Sequence, residues 1–424
     1  MATIKIPYGR TFLEAQIPDD RLAGVLVSKA HHYIPEANQE SLVRQALEHP
    51  IGSPKLCDLV KNKNKIVIIA SDHTRPVPSK ILAPLLLAEI RKGNSNADIT
   101  FLIATGFHRA TTKQELIEKF GEEIVATEKI VIHDSSDAAT MCPIGKLPSG
   151  GDLIVNKLAI EADLLIAEGF IEPHFFAGFS GGRKSVLPGI VSKVTVLANH
   201  CAGFIANPQA KAGILENNPL HIDMLYAAKA AKLSFILNVI IDADKKIIKA
   251  FAGDREEAHH YGCHFAAGLA TVAAKPANII ITSNGGYPLD QNIYQTVKSM
   301  AAAENSCLQD GVIIICAACN YGHGGEAFYR WFADASTAQE VMDKIVTIPA
   351  ERTIADQWQA QILARILIKH TVIIVTDQCD HEMIVKMKMK AAKTLPEALV
   401  MAEAIVGKES QITVIPDGVS VIVK

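Results

Sequence analysis

The chain has 424 residues, 49% hydrophobic and 21% charged, with a net charge of −3 at neutral pH. That balance belongs to a globular protein with ample core, and so weak a charge offers no handle for nucleic acid or an anionic membrane. Eight cysteines are too sparse for a disulfide scaffold, no segment approaches the ~20 apolar residues that span a bilayer, and the N-terminal stretch MATIKIPYGRTFLEAQIPDD lacks an apolar run of signal-peptide length, so a reduced, cytoplasmic protein of two or three domains is expected.

From residue 64 onward short apolar runs alternate with helical patterns. KIVIIA (65–70) is a β-branched run followed by polar turn residues and then by SKILAPLLLAEIRK, which has helical spacing. DITFLIA (98–104) repeats the scheme, and its helix begins with a capping box of Thr112 and Glu115. KIVIHD (129–134) and ADLLIAEG (162–169) are further buried strands. The run 233–253 predicts an antiparallel hairpin turning at Asp242–Lys245, followed by a helix over 255–274. AAKPAN (273–278) breaks the pattern and marks a boundary between domains 1–274 and 275–424. Beyond it, strands at NIIITSNGG, GVIIICAAC and TVIIVTD alternate with helices from Asp290, near 336–346 and over 356–368. The fold class predicted is α/β, two domains with largely parallel sheets and right-handed crossovers.

The chemistry-bearing residues follow the strands. SDHTRP, TGFHR and EGFIEPHFFAGFSGGRKS each close a strand of the first domain, and SNGGYPLDQN closes one of the second. Open parallel sheets bind ligands at the carboxyl ends of their strands, so one site in an interdomain cleft is expected.

The segment HFFAGFSGGRKSVLPG (174–189) nearly spells a phosphate loop, but Arg183 stands where the second glycine belongs. Its glycines let N–H groups approach an anion that Lys184 or Arg183 would neutralise, and a neutral Lys184 amine is also able to hold a cofactor covalently. The alternative is a glycine-rich turn with a solvated basic pair. His108, His174 and His200 follow strands at spacings that match no compact zinc motif, which leaves ordinary hydrogen-bonded histidines or one metal ligand with two acid–base groups. Arg75 offers a fork for a carboxylate or phosphate, with Asp72 and Thr74 beside it. Gln295 and Lys298 share a helix face, which suits either a salt bridge or a substrate contact. Trp358 in DQWQAQ and the pair Cys316 and Cys319 read most simply as core, and His323 sits in a flexible turn.

Together these segments resemble the nickel-pincer nucleotide enzymes, the lactate racemase family. The carriers are SDHTRPVP (71–78), ATGFHR (104–109), EGFIEPHFFAGFSGGRKSVLPG (168–189), ANH (198–200), NGGYPLDQNIYQTVK (284–298) and DQW (356–358). The resemblance implies an isomerase that racemises a small 2-hydroxy acid, D- and L-lactate first, by hydride transfer through a 2-keto acid. It also implies a cofactor, nickel held by a pyridinium-3,5-bisthiocarboxylic acid mononucleotide, joined covalently to Lys184 and supplied by cofactor-synthesis proteins. By the same likeness His200 is the metal ligand, and His108 and His174 are the catalytic acid–base pair. Asp72, His73, Thr74 and Arg75 bind the cofactor. Arg75, Gln295, Lys298, Phe176 and Trp358 bind the substrate. Pro173 and Cys201 are the less usual neighbours of these histidines.

Two further readings separate on simple features. A nicotinamide-dependent dehydrogenase would carry G-x-G-x-x-G after the first strand, which is absent, and a non-catalytic sensor on the same scaffold has no use for two histidines and a tethering lysine together.

Overall fold

The computed structural model describes residues 1–424, which divide by packing into two compact units. One comprises Ala30–His200 and Asn207–Leu269; the other comprises Met1–Lys29, Cys201–Ala206 and Ala270–Lys424.

The first unit is built on six strands in the order Ile247–Gly253, Leu233–Ile241, Leu164–Phe170, Lys65–Ser71, Asp98–Ala104, Lys129–Ile132. All neighbours are parallel except the edge hairpin of Leu233–Ile241 and Ile247–Gly253. The runs Lys65–Ser71 and Leu164–Phe170 are near-continuously apolar because helices or loops cover both of their faces. Ile66, Ile68, Leu82, Leu86, Phe101, Ile166 and Phe235 form the core against the helices Gln39–Glu48 and Ser79–Gly93.

The chain leaves Lys65–Ser71, adds two strands on one side, then returns to place Leu164–Phe170 on the other. Strand order therefore reverses between these two, the kind of position at which open parallel sheets bind ligands. Those loops carry Asp72–Arg75 and the segment 171–185.

In the second unit six parallel strands run in the order Lys390–Ala392, Thr371–Val375, Cys307–Cys316, Ala277–Ser283, Ile412–Ile415, Leu22–Val25. Residues 1–29, expected in the N-terminal domain, lie here instead. Leu22–Val25 extends the sheet edge beside Ile412–Ile415, and the hairpin Ala2–Tyr8 with Thr11–Ile17 buries Ile6, Ala15 and Ile17 in this core. A single strand added late to a sheet edge leaves no mark in local sequence pattern. Asp290, expected to open a helix, is fully buried and accepts from the N–H groups of Gly9 (2.6 Å) and Ala318 (3.1 Å); the helix is Ile293–Ala303, capped by Asn292. The helix predicted over 255–274 ends at Ala270. Cys316 and Cys319 are buried free thiols, as core residues should be. No helix is long and apolar enough to cross a membrane.

Candidate active site

Lys184 lies on a short 3-10 turn, Gly182–Ser185. The glycines before it are required by space. A Cβ at Gly181 would sit 2.7 Å from the Phe170 carbonyl oxygen and one at Gly182 would meet the His259 ring at 2.6 Å, and both have positive φ (74° and 51°). Arg183 departs from both sequence expectations. It is neither solvated nor aimed at an anion, but fully buried, and its guanidinium donates to the carbonyls of Phe179 and Ala177 (both 2.7 Å) and to His221 Nδ1 (3.0 Å). A buried cation needs its donors satisfied, and here the preceding loop wraps its carbonyls around the fork. Lys184, the other basic residue of the turn, is half-buried.

His174 stands on a two-residue hairpin, Pro173–His174 paired with Gly178–Phe179. Its Nδ1 accepts from the N–H of Ala177 (3.3 Å), and its Nε2 lies 3.4 Å from Lys184 Nζ. Phe176 is buried between the Lys184 amine, 5.7 Å from the ring centre, and the His200 imidazole, set edge-on at 5.4 Å. His200 ends the helix Lys193–Asn199 and is 4% exposed. Burial, helped by the Lys184 charge, pushes its imidazole down to about 3 against the Val196 carbonyl bond, so it is neutral at pH 7. That carbonyl takes the Nδ1 proton at 3.1 Å, which makes Nε2 the lone-pair nitrogen.

The second group follows Lys65–Ser71. Asp72, expected at a nucleotide, is 1% exposed and its carboxylate is occupied inside the protein. Oδ2 meets His108 Nδ1 at 2.6 Å and Oδ1 accepts from the Thr74 hydroxyl at 2.6 Å and the Thr74 N–H at 3.1 Å. Burial alone would raise this carboxyl, but the His108 bond and the Arg75 charge hold it well below the usual carboxylate range. The Arg75 guanidinium is half-buried and steadied by the Thr74 hydroxyl at 2.8 Å. His73 turns to Thr111 (3.2 Å). Gly106 N–H to the Gly189 carbonyl (3.1 Å) joins the His108 loop to the chain just past Lys184.

In the second unit Gln295 and Lys298 share the half-buried face of Ile293–Ala303, and Gln295 Oε1 is buried without a hydrogen-bond partner. Trp358 is buried and donates Nε1–H to the Tyr294 hydroxyl (3.0 Å). The sequence reading missed Tyr294, which lay inside a quoted motif, and a buried layer beneath Arg75. There Lys119 is 9% and Glu168 1% exposed. The available signal for Lys119 was its place between Leu116 and Phe120, on the apolar face of a capped helix.

No three His, Cys, Asp or Glu side chains gather as a metal cage, so the zinc-triad arrangement of His108, His174 and His200 is not formed. A metal at His200 would take one imidazole from the protein and its other ligands from a bound cofactor, and a cofactor tethered at the neighbouring Lys184 amine meets that need. The donor set fits a lysine-linked metal cofactor.

These buried neutral histidines have a consequence for stability. His133 is held at about 4 and His200 and His221 at about 3 by burial, and His259 lies well below its ordinary value for the same reason. Unfolded histidine titrates near 6.5, so below that the unfolded chain binds more protons and stability falls as pH drops. At pH 5 each group held at 3–4 contributes a loss of about 2 kcal/mol. Glu168 and Asp223, raised by burial, act the opposite way, but two groups stand against four. Thermal melting from pH 8 to pH 5 is expected to show a falling Tm, and a flat or rising Tm would contradict this.

The lactate racemase N-terminal domain model matches residues 8–213 and the lactate racemase C-terminal domain model matches residues 272–423. The lactate racemases of Thermoanaerobacterium thermosaccharolyticum and Lactiplantibacillus plantarum are 60% and 54% identical over 424 residues, each covering all of both chains. The solved lactate racemase apoprotein from T. thermosaccharolyticum superposes with a TM-score of 0.96 over the whole of both chains, and a Thermotoga maritima protein at 17% identity (TM-score 0.68, 92% of this chain and 100% of that one) shares the fold. With both halves matched and full-length relatives above half identity, the chain belongs to the lactate racemase family of isomerases.

Proposed function

We propose that this protein interconverts the enantiomers of a small 2-hydroxy acid, lactate first among them, using a nickel-bearing pyridinium-3,5-bisthiocarboxylic acid mononucleotide joined to Lys184. The observation that carries this reading is the grouping, beside one strand-order reversal, of a lysine amine 3.4 Å from one histidine, with the ring of Phe176 between that amine and a second, buried neutral imidazole. The α-hydrogen of a 2-hydroxycarboxylate is a poor acid, because removing it as a proton builds a dianion. When bound, the cofactor would supply the missing electrophile, a hydride acceptor that avoids the dianion.

The protein's own work is orientation and proton transfer. Lys184 is the tether and His200 Nε2 the protein's ligand to nickel, for which imidazole is a suitable donor. His73 and Thr74 lie on the loop assigned to the nucleotide. Asp72, occupied by His108, keeps that imidazole with its proton on Nδ1 and its lone pair on Nε2. Arg75 is the anchor for the substrate carboxylate, which suits a guanidinium fork. Gln295 and Lys298 are assigned to the substrate's polar groups, and Phe176 and Trp358 to its apolar side. The unpartnered Gln295 oxygen supports that assignment, since a buried acceptor without a donor is costly until a ligand supplies one.

His200→Ala is expected to lose nickel while the organic adduct on Lys184 persists, read by metal analysis beside intact mass. Full nickel content in that variant would remove His200 from the role. A panel of 2-hydroxy acids tests the substrate. Lactate is expected to give the highest kcat/KM, and a tenfold preference for a bulkier acid would move the enzyme elsewhere in the family.

A further inference from the structure

Beneath the loop 72–75 lies a buried amine that the reaction as derived does not use. Lys119 falls on the core-facing side of the helix Lys113–Phe120, where Leu116 and Phe120 also pack. A leucine there would cost nothing, whereas a buried ammonium must be offset by partners. Its Nζ donates to the main-chain carbonyl of Arg75 at 3.4 Å. The charged groups facing it are Glu168 from the strand Leu164–Phe170, and Asp72 and Arg75 from the loop above. Glu168 accepts from the Ser79 hydroxyl through Oε1, and its buried Oε2 has no hydrogen-bond partner.

Within the loop 72–75 the Arg75 N–H meets the Asp72 carbonyl (3.3 Å) and Thr74 bonds Asp72, while Asp72 and His73 reach sideways to His108 and Thr111. None of these bonds holds the carbonyl end of Arg75. The Lys119 bond ties its last residue to the helix layer, and a guanidinium at the end of a long side chain magnifies any tilt of its own backbone. We infer that Lys119 is a positioning residue, which aims the Arg75 side chain at the substrate by holding the Arg75 carbonyl from below. This rests on Arg75 being the carboxylate anchor.

The test uses the loaded enzyme and lactate, with Arg75→Lys as the control for that anchor. Lys119→Met keeps the length and apolar stem and removes the donor and the charge. It is expected to raise KM about tenfold while kcat changes less than about threefold, the pattern of lost substrate binding. Its circular dichroism and cofactor content are expected to match the parent. A packing role alone would lower Tm without that split between KM and kcat. Should the methionine variant not fold, Lys119→Gln, which withdraws the donor by one atom and removes the charge, gives the same readout. If Arg75→Lys raises KM and neither Lys119 variant does, the inference fails and the anchor stands. If Arg75→Lys leaves KM unchanged, the anchor itself is wrong and the inference falls with it.

Discussion

Replacing His108 or His174 by alanine is expected to cut net racemisation of the loaded enzyme by about 10²–10⁴-fold each, the usual worth of a positioned acid or base. Racemisation requires the hydroxyl proton to leave one substrate pose and return to its mirror image, and a single base cannot reach both, because transfer needs heavy atoms about 3 Å apart. The two imidazoles are held differently. His108 donates its Nδ1–H to the Asp72 carboxylate, while His174 Nδ1 accepts from the Ala177 N–H and its Nε2 faces the Lys184 amine. On the two-base assignment each serves one substrate pose, and the opposite direction reverses their roles. In a single turnover each variant is expected to form keto acid from one enantiomer only, with opposite preferences, and Asp72→Asn is expected to behave like His108→Ala. Equal loss of both half reactions in both variants, or normal racemisation in either, would overturn the assignment.

Lys184→Ala is expected to remove activity entirely, together with the covalent mass, when the protein is made alongside the proteins that build the cofactor. The effect is larger than for either histidine because the variant loses the cofactor rather than one proton transfer. Lys184→Arg is the stricter variant. It keeps the cation on the turn but lacks an amine able to form the link, so a purely electrostatic role would leave it partly active. An adduct on any other residue, or activity without one, would refute the tether.

Much of the first unit was legible because its strands are buried on both faces and its helices carry caps. KIVIIA and DITFLIA are strands to within one residue, and the Thr112–Glu115 capping box is present. The parts that were not legible depend on tertiary partners. Leu22–Val25 is a four-residue edge strand whose only signal is the strand it pairs with. Arg183 read as an anion's partner or a solvated cation because sequence does not reveal that four preceding carbonyls turn inward on it. The bond between Asp72 and His108 was hidden for the same reason: the two lie 36 residues apart. Lys119 was hidden by the ordinary expectation that a lysine on a short surface helix faces water.

The most direct measurement is the chirality of lactate over time with the cofactor-loaded protein and no added nicotinamide. Starting from pure L-lactate or pure D-lactate, the account predicts the same equal mixture of enantiomers, with no net loss of lactate. Enantiomers left unchanged by protein whose Lys184 carries the adduct, or net oxidation to the keto acid only when a nicotinamide cofactor is supplied, would contradict it.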